Sequence, residues 1–120
     1  MTIAELIEKK KEITARKKQL YDIETTVGMV TFKLPTIGQV TEAWDLNPRD
    51  GNKSLVYQCA VEPNLRDKEL QKAYGCAEPF DIVEEIFMAG EVSRIAGQLL
   101  KLAGFGTDMA ATIHKEIKNS

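Results

Sequence analysis

The stretch that decides the fold reads AVEPNLRDKELQKAYG and spans residues 60–75. Pro63 disfavours the helical conformation at Glu62, so a helix that precedes it must end there. Asp67 is placed to accept hydrogen bonds from the first free amides of a new helix, and Gly75 can adopt the left-handed conformation that closes it. The stretch therefore predicts a helical corner between two helices, without a catalytic group.

The first twenty residues predict a helix with a narrow apolar stripe. Thr2 and Glu5 have the spacing of a capping box, and the helix is predicted over residues 1–19. Six basic and three acidic residues give this segment a net charge of +3, and Leu6, Ile13 and Leu20 lie at heptad spacing. Two interpretations stay open: a solvated helix along one edge, or an arm that docks on a partner or a second subunit.

Alternating polarity replaces helical periodicity over residues 20–35. The runs 21–25 and 30–34 flank Thr26-Val27-Gly28, and Gly28 is available for a positive φ, so the segment predicts one β-hairpin. A hairpin alone is marginal in water, so it must pack against helices or pair with another chain. Its free edge is a candidate site for addition of a partner strand.

Residues 36–105 predict a helical core. Thr36 and Gln39 form a second capping-box spacing, before a helix whose Trp44 is expected in the core. Residues 47–52 are predicted to be a connector, and further helices are predicted over residues 54–62 and 67–74, from Pro79, and from residue 92 to Gly104.

These elements predict a mainly α (α+β) fold, a compact bundle of about five to six short helices with one N-terminal β-hairpin. A single domain over residues 1–120 is expected at this length. The last helix is predicted over residues 106–120, with a frayed end.

Composition and charge argue against several functional classes. The formal net charge of −2 argues against nucleic acid as a partner, because nucleic-acid binding requires a clustered positive face. No apolar run approaches the ~18 residues that span a membrane. The N-terminus lacks a signal-peptide pattern, so a cytoplasmic location is expected. Cys59, Cys76 and His114 are the only cysteines and the only histidine, and they lack the spacing of a zinc site. Two free thiols are expected.

Catalytic and cofactor motifs are missing from the sequence. His114 has no neighbouring nucleophile and is interpreted as a surface residue. Glu84 and Glu85 are adjacent on a predicted helix, where they point about 100° apart and cannot share a site. The chain has no dinucleotide-binding, phosphate-loop or nucleophile-elbow motif. We therefore expect a binding module that is not an enzyme and needs no cofactor and no metal.

The central stretch also resembles a known family. Residues 63–71, followed by Tyr74-Gly75, are similar to the central signature of tail assembly chaperones from long-tailed phages and prophages of Gram-positive bacteria. The resemblance extends over residues 19 to 105. Its upstream pieces are residues 21–25 and 30–36, and its downstream pieces are residues 84–87, 90–91 and 102–105. The two ends of the chain carry nothing diagnostic.

The resemblance implies a function and partners. Proteins of that family bind the tape measure protein, keep it soluble, help to recruit tail tube subunits and leave before the tail is finished. It therefore implies the tape measure protein and the tail tube protein as partners, in the cytoplasm of the bacterial host, with the chaperone absent from the mature virion. A homo-oligomer is left open, and neither nucleic acid nor a membrane is expected as a partner.

An apolar groove with an acidic rim is the predicted partner-binding site, between the helix over residues 54–62 and the helix that begins at residue 92. The predicted binding residues are Val56, Cys59, Glu84, Glu85, Glu91, Ile95, Leu99 and Leu102. Two alternatives are a small helical DNA-binding regulator of a phage or prophage and a structural tail component. The first requires a basic recognition helix, and the second would be found in mature virions.

Overall fold

The described part of the chain mixes helices with a sheet. In this computed structural model, residues 1–106 and His114 are described. The helices are α1 (Ile3–Glu8), α2 (Lys10–Lys17), α3 (Ile37–Trp44), α4 (Pro48–Cys59), α5 (Lys68–Ala73), α6 (Asp81–Ile86) and α7 (Ala89–Leu102), and the strands are β1 (Leu20–Thr25), β2 (Gly28–Lys33) and β3 (Ala60–Glu62). Seven helices in the described residues exceed the five to six predicted. The helix predicted over residues 106–120 lies outside the described residues, apart from Gly106 and His114, which are both exposed.

The predicted hairpin is present as part of a larger sheet. Strands β1 and β2 pair antiparallel, from Leu20 opposite Lys33 to Thr25 opposite Gly28, around a two-residue turn. Gly28 has a φ of 120°, the left-handed region that the sequence predicts for it. Strand β3 adds to the other side of β2, so the strand order is β1-β2-β3. The hairpin is therefore confirmed, whereas its third strand was not predicted, and no other described strand pairs with the outer edge of β1.

Strand β3 occupies residues that were predicted to end a helix. Helix α4 stops at Cys59, and Ala60 already has an extended backbone with ψ of 125°. Val61 is β-branched and Pro63 holds Glu62 extended, so this short run suits a strand. It pairs with β2 beside the buried Phe32, where unpaired backbone groups would be costly.

Helix α4 begins earlier than predicted, because residues 47–52 are not a connector. The Asn47 side chain accepts a hydrogen bond from the Asp50 amide at 2.9 Å, and Pro48 occupies the first turn. Gly51 lies so close to α3 that an added Cβ would overlap the backbone carbonyl oxygen of Ala43. Gly51, which was predicted to lie in a connector, therefore allows α3 and α4 to pack closely.

The core forms around α4, which packs against α3, α6 and α7. Its largest fully buried side chains are Phe32, Leu55, Leu65, Ile82, Ile95 and Leu99. Trp44, expected in the core, is 61% exposed and contacts the ring of Phe105 edge to face at 5.3 Å between centroids. Helix α3 turns Val40 and Ala43 inward instead, so the next residue lies off the buried face.

The N-terminal helix is the least integrated part of the fold. Thr2 caps it as predicted, accepting from the Glu5 amide at 3.2 Å. It is divided at Lys9 into α1 and α2, and neither segment has a buried residue. We call α1 and α2 together the arm and residues 20–106 the body. Compact packing, which was predicted for the whole bundle, describes the body alone.

Candidate functional site

Four of the eight residues predicted for partner binding lie in the core. Val56 and Cys59 on α4, and Ile95 and Leu99 on α7, have no exposed surface. The predicted groove between these positions is filled by their own side chains. Burial also raises the pKa of the Cys59 thiol to about 11, so this cysteine is protonated and unreactive at neutral pH. Whether these residues affect partner binding stays a prediction.

A hollow remains at the beginnings of α4 and α7, and Glu84 stands at its rim. Arg49 donates to the two Glu84 carboxylate oxygens at 3.1 and 2.8 Å, and the Lys53 ammonium lies 3.2 Å from the same carboxylate. These hydrogen bonds lower the pKa of Glu84, and the bond from Arg49 has the largest effect. The hollow holds about 410 Å³ above Phe87 and Val92. The Glu84 carboxylate at its rim is already neutralised by Arg49 and Lys53.

Glu85 and Glu91, the other predicted acids, differ in environment. Glu85 is exposed, whereas Glu91 is 7% exposed. The Thr26 amide donates to Glu91 at 2.7 Å, the Thr26 hydroxyl at 2.8 Å and the Met88 amide at 3.3 Å. Burial acts to raise the pKa of Glu91, but these hydrogen bonds and the charge of Arg94 outweigh it and lower the pKa. Glu91 therefore fastens the hairpin turn to the start of α7 rather than lining an open rim.

A second concave surface that carries a predicted residue lies between β1 and α7. We call it the β1–α7 groove; it measures about 600 Å³ and is lined by Tyr21, Asp22, Ile23, Glu24, Arg94, Gln98, Lys101 and Leu102. Leu102, one of the eight predicted residues, is 42% exposed there. Arg94, Gln98 and Leu102 follow one another at intervals of four, so they share one face of α7.

The strand side of the groove is the outer edge of β1, with which no other strand of the described residues pairs. Because Thr25 and Gly28 close the two-residue turn, the backbone groups of Asp22 and Glu24 point away from β2. Arg94 donates to the Glu24 carbonyl oxygen at 3.0 Å and lies 3.5 Å from Glu91, so it joins strand to helix at one end of the groove. Asp22 also lines the groove, and its backbone groups point away from β2.

Such a groove can bind a peptide segment either as a helix or as an extended strand. Its apolar floor, with Ile23 buried and Tyr21 partly buried, can accept the apolar face of a helix. Its strand edge can hydrogen-bond an extended segment. Among residues 1–106 and His114, no group of acidic, histidine or cysteine side chains is arranged to hold a metal ion. The described helices also include none that is long and apolar enough to cross a membrane.

The sequence contained part of the signal for this groove. The interval of four residues that aligns Arg94, Gln98 and Leu102 is readable, as is the alternation at Tyr21 and Ile23. Their juxtaposition depends on the hydrogen bonds between Glu91 and Thr26, which lie 65 residues apart. That distance in sequence kept the strand side of the site out of the prediction.

Comparison with known proteins gives two findings. The model of the family described as phage XkdN-like tail assembly chaperone protein matches residues 8–118. The chain is also similar to a solved structure, the crystal structure of the protein YqbN, with a TM-score of 0.56 and 17% sequence identity, over 72% of this chain and 87% of that chain. At that identity the likeness establishes a shared fold. No curated protein matches the chain.

Proposed function

The chain belongs to the phage XkdN-like tail assembly chaperone family, and on that premise we propose that it binds the tape measure protein. In doing so it keeps the tape measure protein soluble and helps to recruit tail tube subunits during tail morphogenesis. It acts in the cytoplasm of the bacterial host and leaves before the tail is complete, so it is absent from the mature virion. Binding of this kind requires neither a catalytic residue nor a cofactor.

The β1–α7 groove is the observation that carries the proposal. A tape measure chain that has not yet been assembled presents long amphipathic helices, and such surfaces aggregate unless they are covered. The groove presents Leu102 and Tyr21 between polar and charged side chains. This mixture suits a helix whose apolar face is buried and whose polar flanks stay in water.

A chaperone of this type must also release its client. The groove is open and its rim is polar, so the bound segment buries little area and its polar flanks remain hydrated. Among the residues predicted for partner binding, we retain Leu102 as a direct contact. Ile95 and Leu99 support the groove from within α7.

Co-expression with the tape measure protein of the same phage tests the proposal. Wild-type protein should keep the tape measure protein in the soluble fraction and co-elute with it. Leu102→Glu places a charge on the apolar floor and should reduce the co-eluting fraction about tenfold or more. Val61→Glu is the matched control, since Val61 is 38% exposed on β3 at the opposite edge of the sheet.

Three results would overturn the proposal or its site. A tape measure protein that is soluble alone and ignores wild-type protein would remove the function. Equal losses for Leu102→Glu and Val61→Glu would remove the groove as the site. A tail tube protein that is retained equally well without the tape measure protein would contradict the recruitment step.

A further inference from the structure

The arm has an apolar face that its own body does not cover. Ile3, Leu6 and Ile7 are exposed, and Leu6, Ile7 and Ile13 line one shallow hollow on the arm surface. A helix of this length is marginal in water without a partner for its apolar face. The arm is about 22 Å long at 1.5 Å per residue, enough to lie across a patch on another protein surface.

The arm also carries a charge opposite to that of the rest of the chain. Residues 1–20 contain six basic and three acidic residues, a net charge of +3. The remaining residues contain ten basic and fifteen acidic ones, a net charge of −5. Three of the basic residues, Lys9 to Lys11, lie at the junction of α1 and α2 beside the apolar face. A surface that receives the arm should therefore combine apolar side chains with acids.

The body has such a surface at the end of α3. Trp44, Leu46 and Phe80 are exposed there, and we call them the Trp44 patch. Leu46 lies in the walls of two neighbouring hollows, one with Trp44 and the other with Phe80, so the three side chains form a continuous surface. The Trp44 ring is held by Phe105, and the Phe80 ring lies 4.5 Å from that of Tyr57.

Acidic side chains surround the Trp44 patch. Asp50, Glu78 and Asp81 line the hollow that contains Leu46 and Phe80. Asp45 is exposed between Trp44 and Leu46 in the sequence. The single cation that the described residues place in that hollow is Lys53, which lies 3.9 Å from Asp50 and 3.2 Å from Glu84, so acids already neutralise it.

We propose that the arm of one copy docks on the Trp44 patch of a second copy. Leu6 and Ile7 cover the apolar side chains of the patch, and Lys9 to Lys11 lie against its acids. Charge favours this arrangement over pairing between two arms, since each arm has five basic and three acidic residues and a net charge of +2. The contact is small and partly ionic, so it is reversible and weakens as salt rises. This inference goes beyond the proposed function and requires no tape measure protein.

A complementation experiment on the full protein and two variants tests the inference. Deletion of residues 1–17 removes the arm and leaves the patch intact, whereas Leu46→Glu damages the patch and leaves the arm intact. Analytical ultracentrifugation should find self-association of the wild type at high micromolar concentration in low salt, and monomers for each variant alone. Mixing the two variants should restore a heterodimer, since one supplies the arm and the other the patch.

Two further variants separate docking from non-specific effects. Leu102→Glu is the matched control for Leu46→Glu, because the two leucines are 42% and 46% exposed, and it should leave self-association unchanged. Lys10→Glu with Lys11→Glu keeps the arm but reverses its charge, and should weaken self-association about tenfold or more. Circular dichroism of each variant checks that it is folded.

Any of three outcomes would overturn the inference. The wild type could remain monomeric at high micromolar concentration in low salt. The arm-deleted protein could still self-associate, or the mixture of the two variants could fail to form a heterodimer. If the wild type is monomeric and Leu46→Glu instead reduces retention of the tape measure protein, the Trp44 patch belongs to that partner.

Discussion

The arm and α4 are both helices, but they have opposite relations to the rest of the molecule. Helix α4 buries Gly51, Ser54, Leu55, Val56, Tyr57 and Cys59 within twelve residues. The arm extends over Ile3–Lys17 and buries none. Stability therefore resides in the body, while the arm and the exposed surfaces of the body remain free for other chains. Helical periodicity alone does not distinguish these roles; the width of the apolar face does.

The largest difference in the free energy of unfolding is expected between two leucine-to-alanine substitutions, one in the body and one in the arm. Leu99→Ala in the core removes a fully buried side chain and should lower the free energy of unfolding by about 3 kcal/mol. Leu6→Ala in the arm should change it by less than about 0.5 kcal/mol. Urea denaturation measures both, and equal costs for the two would contradict the division between body and arm.

Two glycine-to-alanine substitutions should change the free energy of unfolding in opposite directions. Gly51→Ala forces a Cβ into the Ala43 carbonyl oxygen and should lower the free energy of unfolding by about 2 kcal/mol. Gly97→Ala lies on α7 with open space around the new Cβ, so it should raise stability by up to about 1 kcal/mol through helix propensity. Thermal melts of both variants check the signs. A stabilising Gly51→Ala would contradict the close contact between α3 and α4.

Glu91→Gln should have a smaller effect that depends on pH. Loss of the charge weakens the hydrogen bonds from Thr26 and Met88 and should cost about 1.5 kcal/mol at neutral pH. The folded pKa of Glu91 lies below that of the unfolded chain. The contribution is therefore complete above the unfolded pKa and is lost as the pH falls through the folded pKa.

A pH series of urea denaturation for Glu91→Gln should accordingly show less loss of stability in acid than the wild type. Glu85→Gln, an exposed neighbour, is the control and should follow the wild-type profile. Parallel pH profiles for wild type and Glu91→Gln would contradict the role of Glu91 as the link between the hairpin turn and α7.

Deletion of the arm should have the smallest effect on stability. Removal of residues 1–17 takes away no buried side chain, so the thermal midpoint should stay unchanged when measured at a concentration where the protein is monomeric. A large drop in the midpoint under those conditions would mean that the arm supports the body, and the comparison between arm and body would fail.

Local signals allowed much of the fold to be predicted from the sequence. The caps at Thr2, Thr36 and Asp67 form as expected, since each side chain accepts a hydrogen bond from an amide three residues away. The left-handed glycines Gly28 and Gly75 are confirmed for the same reason. Conformations that a few neighbouring residues decide can be read without knowledge of the tertiary structure.

Features set by distant contacts could not be read in this way. Residues 60–62 become a strand because β2 offers an edge about thirty residues upstream, and the tight contact of Gly51 with Ala43 depends on how two helices cross. Trp44 was placed in the core by its residue type, yet α3 uses Ala43 for the buried position. Asn47-Pro48 did carry a readable cap signal, and the flexible composition after it obscured the start of α4.

The predicted partner-binding site shows the same difference between local signals and distant contacts. Apolar residues at helical spacing were interpreted as a groove, but Val56, Cys59, Ile95 and Leu99 fill the core. Leu102, one turn beyond the last buried position of α7, is the apolar member of the predicted set that reaches an open surface. The opposing wall comes from β1, which the sequence places more than sixty residues earlier.

Binding of the tape measure protein in the β1–α7 groove can be tested in a purified system, by protection of that protein from aggregation. Light scattering would follow aggregation of the denatured tape measure protein after dilution into buffer with equimolar chaperone. Wild-type protein and Val61→Glu should suppress aggregation strongly, and Leu102→Glu should suppress it little. Equal scattering with wild-type protein and with an unrelated protein of similar size would contradict the claim.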